Sequence, residues 1–313
     1  MKKIALVFPG QGSQYVGMGK DLFDRSPAAR KVFEEANDAL GYDIARLCFQ
    51  GPEEDLKLTA NTQPAILTTS VAVLRVMQSE REILPVVAAG HSLGEYGALV
   101  AAGGLLFADA VRLVHLRGKF MQDAVPVGLG AMAALVGLTG PEVEALCREA
   151  ARGEVLSPAN FNSPGQIAIA GHATAVQRAV EMVSKQAGKK AVPLPVSAPF
   201  HCSLMKPAGE RLKLELDKAE VGDLHFPVLA NAEADFYPGK EKIRDLLVKQ
   251  VDHPVRWEEC MQKLLATGAD LVMEVGPGKV LSGLMRRISR EAKMANVEDG
   301  ASWGKAQELL KSN

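Results

Sequence analysis

Two short, wholly apolar runs, each closed by glycine and followed by a helical pattern, most constrain how this 313-residue chain can fold. They are Ile4–Phe8 and Pro85–Ala89. An apolar run without a polar face is typical of a strand covered on both sides. Because strand and helix then alternate, we predict an α/β fold with a mainly parallel sheet. Helices are predicted over Asp21–Leu40, Gln63–Gln78, Gly94–Ala102, Ala108–Ala124, Lys240–Gln250, Trp257–Thr267 and Val280–Ile288, and further strands over Phe226–Ala230 and Leu271–Val275.

The alternation changes between about Leu129 and Val196, where the predicted order is β-α-β-β-α-β. That order is the ferredoxin-like unit. We therefore predict a large α/β hydrolase-like domain of residues 1–127 and 198–313, into which a small ferredoxin-like subdomain of residues 128–197 is inserted. The subdomain's predicted strands are Ala131–Gly137, Val155–Phe161, Gln166–Ala170 and Lys190–Val196, and its helices are Pro141–Ala151 and Thr174–Ala187.

Charge and composition narrow the function. The net charge of −1 gives no basic footprint for nucleic acid. Four scattered cysteines without a C-x-x-C pair predict neither a zinc ribbon nor a disulfide framework, and they fit a reducing compartment. No apolar run approaches the ~20 residues of a membrane helix, and the short N-terminal run favours a core strand over a signal peptide. We expect a cytoplasmic protein with no membrane or nucleic-acid partner.

The second apolar strand runs into the pattern Gly-x-Ser-x-Gly, with the serine at position 92. A strand before this pattern and a helix after it are the setting of a nucleophile elbow. In that setting the N–H of Leu93, next after the serine, stabilises an oxyanion at the helix N-terminus. The alternative is that Ser92 only caps the helix in a tight turn.

A serine nucleophile needs a base, and six histidines are available. His91 adjoins the serine, and His115 lies among apolar residues of a predicted helix. His201, in "VSAPFHCSLM", lies where the chain re-enters the large domain, and a seam between domains is a usual place for a cleft. We expect His201 to face Ser92, although a loop histidine without a catalytic role is the alternative.

The loop "PGQGSQYVGMG" after the first strand does not match either phosphate-binding pattern. Tyr15 breaks G-x-G-x-x-G, and Met18 stands where a P-loop requires lysine. Two interpretations remain. Either the loop is a structural turn, or its amides, including that of Gln11, face the same crevice as Ser92.

Seven segments together closely resemble the malonyl-CoA:acyl carrier protein transacylase family, the malonyl loaders of bacterial fatty-acid synthesis. The resemblance runs from about Lys3 to Ile288 with the motifs in the family's order, and it fades beyond Arg290. The segments are FPGQGSQ, TQPA, GHSLGEY, RGKFMQ, NFNSPGQIAIAG, APFHCSLM and EVGPGKVL.

The resemblance implies a role for each matching residue. Ser92 would be the acyl-accepting nucleophile and His201 its general base, oriented by the main-chain carbonyl of Gln250 rather than by a carboxylate. Arg117 would hold the malonyl carboxylate, whereas its neighbours alone would suggest a surface arginine. The backbone amides of Gln11 and Leu93 would form the oxyanion hole, Gln63, Asn160 and Gln166 would lie near the pocket, and Phe200, beside the histidine, is expected to limit bulk at the malonyl α-carbon.

The implied reaction moves a malonyl group from malonyl-CoA to the phosphopantetheine thiol of acyl carrier protein through an acyl-serine, in two half-reactions. Malonyl-CoA is then a substrate, and the chemistry requires no cofactor and no metal. We expect the protein to act as a monomer.

Three other functions compete with this one. A stand-alone acyltransferase of a polyketide pathway would have the same site. A serine hydrolase of acyl thioesters would show an acidic residue and then a histidine near the C-terminus, but His201 lies in mid-chain. A scaffold protein with a vestigial site would not be expected to keep Ser92, His201 and Arg117.

Overall fold

The central sheet of the computed structural model, which describes residues 2–196 and 198–311, has four parallel strands. This arrangement confirms the predicted α/β class with a mainly parallel sheet. In spatial order the strands are β10 (Met294–Val297), β9 (Leu271–Val275), β1 (Ile4–Phe8) and β2 (Pro85–Gly90).

Strand β1 lies inside the sheet and is buried on both faces. Its side chains alternate: Leu6 and Phe8 pack into one hydrophobic cluster, and Ala5 and Val7 into another. Phe8 is also the register partner of Gly90 at the end of β2. The loops that leave these two strands therefore start side by side, at the carboxyl ends of the strands.

Helices cover both faces of the sheet. The first cluster includes α5 (Thr59–Glu80), α6 (Gly94–Ala101) and α7 (Phe107–Ala124), and the second includes α12 (Trp257–Ala266) and α13 (Val280–Ile288). Over residues 2–196 and 198–311, no helix is both long and apolar enough to span a bilayer. The other helices outside the second sheet are α1 (Lys20–Arg25), α2 (Pro27–Leu40), α3 (Ile44–Gln50), α4 (Glu53–Lys57), α10 (Lys206–Leu216), α11 (Ile243–Asp252) and α14 (Gly300–Lys311).

A second, antiparallel sheet carries two helices and a hydrophobic cluster of its own. Its element order is β-α-β-β-α-β, as expected from the sequence. The domain boundaries at residues 128 and 197 stay a prediction, and Ser197, with residues 1, 312 and 313, lies outside the described residues. The strands, in spatial order, are β4 (Leu156–Ser163), β5 (Gln166–His172), β3 (Gly130–Val136) and β6 (Lys190–Pro193), and the helices are α8 (Gly140–Ala151) and α9 (Ala173–Ser184).

The single helix predicted over Asp21–Leu40 is wrong, because the structure has two helices there, α1 and α2. The break falls at Ser26, which is extended at φ −120° and ψ 121°. Proline disfavours the helical conformation in the residue before it, and Pro27 follows Ser26.

The strand predicted over Phe226–Ala230 is also shorter than expected. Only β7 (Leu229–Ala230) is a strand, and it pairs with the short β8 (Asp235–Phe236). Just before it, Val228 forms an isolated parallel bridge with Ala88 of β2. Pro227 has no N–H to donate to a neighbouring strand. The segment therefore joins the central sheet through a single bridge and not as a full strand.

The C-terminal segment, where the sequence pattern is weak, completes the central sheet. β10 has four residues, too few for a periodic pattern, and it forms the edge of the sheet beside β9. In α14, Trp303 is buried and its indole N–H donates to the Glu80 carboxylate at 2.8 Å. Helix α10 is another element that the sequence analysis missed.

We expect Gly94→Ala to destabilise the protein by at least about 2 kcal/mol, because a Cβ on Gly94 would lie 2.0 Å from the carbonyl oxygen of Phe8. Gly283→Ala, in α13, is the matched control, since a Cβ there meets nothing within 4 Å. It should stabilise by roughly 0.5–1 kcal/mol. Urea denaturation of both variants measures the difference. Equal free energies of unfolding for the two variants would show that α6 does not pack closely against the end of β1.

Candidate active site

Ser92 lies on a strained turn between β2 and α6. Its φ of 50° is in the left-handed region, which residues other than glycine rarely adopt. The turn is so tight that a Cβ on Gly90 would lie 1.9 Å from the main chain of Gly94. Within the described residues, the Ser92 hydroxyl bonds to the side chains of His201 and Arg117 and not to an amide of α6. This is the geometry of a nucleophile elbow.

The hydroxyl of Ser92 is bonded to His201. The Ser92 Oγ lies 2.7 Å from His201 Nε2, and the other ring nitrogen, Nδ1, lies 2.9 Å from the main-chain oxygen of Gln250. A carbonyl oxygen only accepts, so Nδ1 carries the proton and Nε2 is the acceptor for the serine hydroxyl. The imidazole is therefore held in the tautomer that a general base requires.

Burial decides the charge of the histidine. His201 is 3% exposed, and this desolvation, with the nearby Arg117 cation as the next cause, lowers the pKa of His201 to about 3. The ring is thus neutral throughout the neutral pH range and available to accept a proton.

Arg117 is a buried cation that touches the same hydroxyl. Its Nη2 donates to Ser92 Oγ at 3.1 Å and to Gln250 Oε1 at 2.8 Å, and its Nη1 donates to Gln63 Oε1 at 2.7 Å. Only 2% of Arg117 is exposed. The residue lies on α7 and faces inward, which corrects the surface placement that its charged neighbours alone would suggest.

A buried carboxylate that the sequence analysis did not single out lies behind the elbow. Glu95 lies on the first turn of α6. Its carboxylate accepts from Gln250 Nε2 at 2.7 Å, from the main-chain N–H of Asn231 at 2.9 Å, and from the Tyr237 hydroxyl. Burial raises the pKa of Glu95 to about 7, and these hydrogen bonds oppose the rise. The sequence held one signal for it, because Glu95 belongs to the GHSLGEY segment and follows the serine by three residues.

Asn231, also missed, ties the elbow to the segment after β7. Its Oδ1 accepts from the Ser92 amide at 2.7 Å, and its Nδ2 donates to the Gly90 carbonyl at 2.8 Å. One side chain thus bonds both sides of the strained turn. No motif marks this asparagine, which is 139 residues from Ser92 in the chain.

Ser92, His201 and Arg117 border a cavity of about 120 Å³ between the two sheets. In the described residues the backbone amides of Gln11 and Leu93 donate to no protein acceptor, so both can bind an oxyanion. The side chain of Gln11 also bonds Thr59, at 3.3 Å. The lining residues are Gln11, Gln63, His91, Ser92, Leu93, Arg117, Met121, Met132, Asn160, Leu194, Val196, Phe200 and His201.

Two predicted site residues, Gln166 and Gln250, do not border this cavity, and only Gln250 still contacts His201 and Arg117. Gln166 lies farther away. It starts β5, and its Oε1 accepts from Arg287 of α13 at 2.8 Å in an exposed contact. The segment's match to the family motif does not by itself bring this side chain to the site. The residues described contain no cluster of three or more histidine, cysteine, aspartate or glutamate side chains suited to hold a metal ion.

A serine on a nucleophile elbow, bonded to a neutral histidine and next to a buried arginine, has the geometry that acyl transfer through a serine requires. The comparison with protein families agrees, since residues 5–310 match the acyl transferase domain. The chain therefore belongs to the acyl transferase family. The match extends beyond Arg290, which corrects the expectation that the resemblance fades there, and it includes β10 and most of α14.

Named relatives are similar over nearly the whole chain. The malonyl CoA-acyl carrier protein transacylase of Escherichia coli K12 is 49% identical to this chain, and the match covers 99% of this chain and 100% of the relative. The transacylase of Bacillus subtilis 168 is 47% identical, and the match covers 99% of this chain and 98% of the relative. The solved transacylase from Coxiella burnetii is 43% identical, with a TM-score of 0.96 over 99% of this chain and 98% of that one. A malonyl-transacylase solved in complex with its type II PKS acyl-carrier protein is 48% identical, with a TM-score of 0.95. That match covers 98% of this chain and 99% of the solved one.

We expect the His201 ring to stay unprotonated from pH 8 down to about pH 5, because its pKa in the folded protein is depressed to about 3. Below the ordinary pKa of ~6.5 the unfolded chain binds a proton that the folded chain does not, so this group should lower stability as pH falls from ~6.5 toward 3. Histidine NMR against pH, with the signal assigned by its loss in His201→Gln, measures this. A midpoint near pH 6.5 would contradict it.

Proposed function

We propose that this protein transfers a malonyl group from malonyl-CoA to the phosphopantetheine thiol of an acyl carrier protein through a malonyl-Ser92 intermediate. One observation carries the proposal: Ser92 Oγ lies 2.7 Å from a neutral base, His201, and 3.1 Å from a buried cation, Arg117. The first contact supports nucleophilic attack, and the second supports choice of a substrate with a carboxylate. The similarity to malonyl transacylases supports the same reaction.

In the first half-reaction, Ser92 Oγ attacks the thioester carbonyl while its proton moves to His201 Nε2. The amides of Gln11 and Leu93 donate to the oxygen that becomes negative. When the carbon–sulfur bond breaks, the CoA sulfur takes the proton back from Nε2. The products are malonyl-Ser92 and free CoA thiol, and His201 is neutral again.

The second half-reaction runs the same steps with the thiol of the carrier protein. His201 Nε2 takes the thiol proton, the sulfur attacks the ester carbonyl, and Ser92 Oγ leaves with that proton. One base thus serves both nucleophiles, and the reaction uses neither a metal nor a cofactor. We propose that the protein works in the cytoplasm as a monomer.

The site also fits a polyketide pathway. The relative solved with a type II PKS acyl-carrier protein is as similar to this chain as the other relatives are. Both pathways would use the same malonyl transfer, so the nature of the carrier is a separate question. A serine hydrolase would use water as acceptor at the same elbow. Prolonged incubation with malonyl-CoA alone distinguishes it, because only a hydrolase releases malonate over many turnovers.

Intact mass after mixing with malonyl-CoA tests the intermediate. We expect one malonyl adduct, mapped to Ser92, and its transfer to carrier protein added afterwards. Ser92→Ala should form no adduct and remain folded, because the substitution removes the attacking oxygen. A malonylated Ser92→Ala protein would show that another residue is the nucleophile.

Arg117→Ala should turn the enzyme from malonyl toward acetyl groups, because the two substrates differ by the carboxylate that Arg117 binds. Each charge-assisted hydrogen bond contributes about 1.5–3 kcal/mol, so losing two lowers kcat/KM for malonyl-CoA by roughly 10²–10⁴-fold. Acetyl transfer should hold or rise, since acetyl-CoA leaves the wild-type arginine buried and unpaired.

The measurement is kcat/KM for malonyl-CoA and acetyl-CoA. Arg117→Lys is the control, and it should rescue malonyl transfer only in part, because an ammonium keeps the charge and loses the planar fork. If kcat/KM falls by the same factor for both substrates in Arg117→Ala, the arginine supports the fold or the chemistry, and another group binds the carboxylate.

A further inference from the structure

Both side-chain amides that hold Arg117 belong to glutamines. Gln63 lies on α5 and is 2% exposed, and Gln250 lies on α11 and is fully buried. The Gln63 Oε1 accepts from Nη1 of Arg117 at 2.7 Å, and the Gln250 Oε1 accepts from Nη2 at 2.8 Å. Within the part of the chain that the structure describes, no carboxylate oxygen lies within 4.0 Å of Arg117. A neutral oxygen orients a guanidinium without cancelling its charge.

Gln250 also stands between Arg117 and the nearest buried carboxylate. Its Nε2 donates to Glu95 Oε2 at 2.7 Å and to the Ser92 carbonyl at 2.9 Å, while its Oε1 accepts from Arg117. The Ser92 carbonyl can only accept, so the amide nitrogen must face it and the amide oxygen must face the arginine. The glutamine thus prevents a direct Arg117–Glu95 ion pair.

The guanidinium is left with unused donors. Three of its five N–H groups bond to protein oxygens, and Arg117 Nε is a buried atom with no partner in residues 2–196 and 198–311. A buried cation without a counter-ion is unfavourable. An anionic group in the cavity beside Ser92 would supply that counter-ion.

We propose that Gln63 and Gln250 are specificity-determining residues that aim Arg117 at Ser92 and keep its charge for the carboxylate of the acyl group. An acid at either position would pair with the arginine before the substrate arrived. The inference rests on the proposed malonyl transfer. Gln250 then has two separable roles, because its main-chain carbonyl holds His201 and its side chain holds Arg117.

The test is Gln63→Glu, which keeps the length of the side chain and puts a carboxylate on Nη1 of Arg117. Malonyl loading should fall by roughly 100-fold relative to acetyl loading, since one charge-assisted contact is lost to the protein. Acetyl loading itself should hold or rise. Gln122→Glu, also next to the α5–α7 contact, is the matched control. The Gln122 Oε1 accepts from the Ala60 amide at 2.8 Å, and glutamate keeps that acceptor while adding the same charge.

Each variant is mixed with equal concentrations of malonyl-CoA and acetyl-CoA, and the two Ser92 adducts are counted early by intact mass. Their ratio equals the ratio of the two kcat/KM values for loading, and it does not depend on the fraction of protein that is folded. A merely structural role would lower both adducts together and leave the ratio unchanged. We expect the ratio to fall in Gln63→Glu and to stay within about threefold of wild type in Gln122→Glu.

Gln250→Glu repeats the test at the other nitrogen of the fork. There the new carboxyl meets Glu95, and two carboxyls at that distance share one proton, which leaves a negative charge to pair with Arg117. The ratio should fall again. A wild-type ratio in either glutamate variant overturns the proposal, and so does an equal fall in the control. Absence of a malonyl adduct on the wild-type protein would instead overturn the proposed function itself.

Discussion

The site depends on one buried cation, Arg117, which has no direct counter-ion among the residues that the structure describes. Arg117 is held by neutral oxygens of Gln63, Gln250 and Ser92, which come from α5, α11 and the elbow. Three parts of the chain that are remote in sequence are thereby brought to one guanidinium. Burying that charge is unfavourable on its own. The arrangement therefore favours an anionic ligand next to the nucleophile. Burial lowers the pKa of the neighbouring His201, and repulsion by the Arg117 cation lowers it further.

The second constraint is the crowding at the edge of the central sheet. Phe8 ends β1 beside Gly90 at the end of β2, and Gly94 must pass within contact of the Phe8 carbonyl. The elbow can form only because the residues at these contacts lack a Cβ. Asn231 then bonds both sides of the turn and holds Ser92 in its left-handed conformation. Strain in the nucleophile is thus balanced by hydrogen bonds from a distant segment.

The second sheet supplies the other wall of the cavity. Met132 on β3 and Asn160 on β4 line it, and Asn160 also forms a bridge with Val255, after α11. His91, next to the nucleophile, reaches the same sheet through Asn162, whose Oδ1 lies 2.8 Å from His91 Nε2. The small sheet therefore forms part of the site as well as extending the fold.

Local patterns in the sequence were enough to predict the buried strands, the elbow at Ser92 and the β-α-β-β-α-β order. These follow from patterns within a few residues, which local sterics and burial impose. Motif resemblance added the pairing of Ser92 with His201 and put Arg117 in the same site. Only the packing of distant segments shows that Gln63 and Gln250 hold Arg117. The same packing keeps Gln166 away from the cavity and brings Glu95 and Asn231 behind the elbow. The reason is physical: a hydrogen bond between residues 139 or 155 positions apart leaves no periodic trace in either segment.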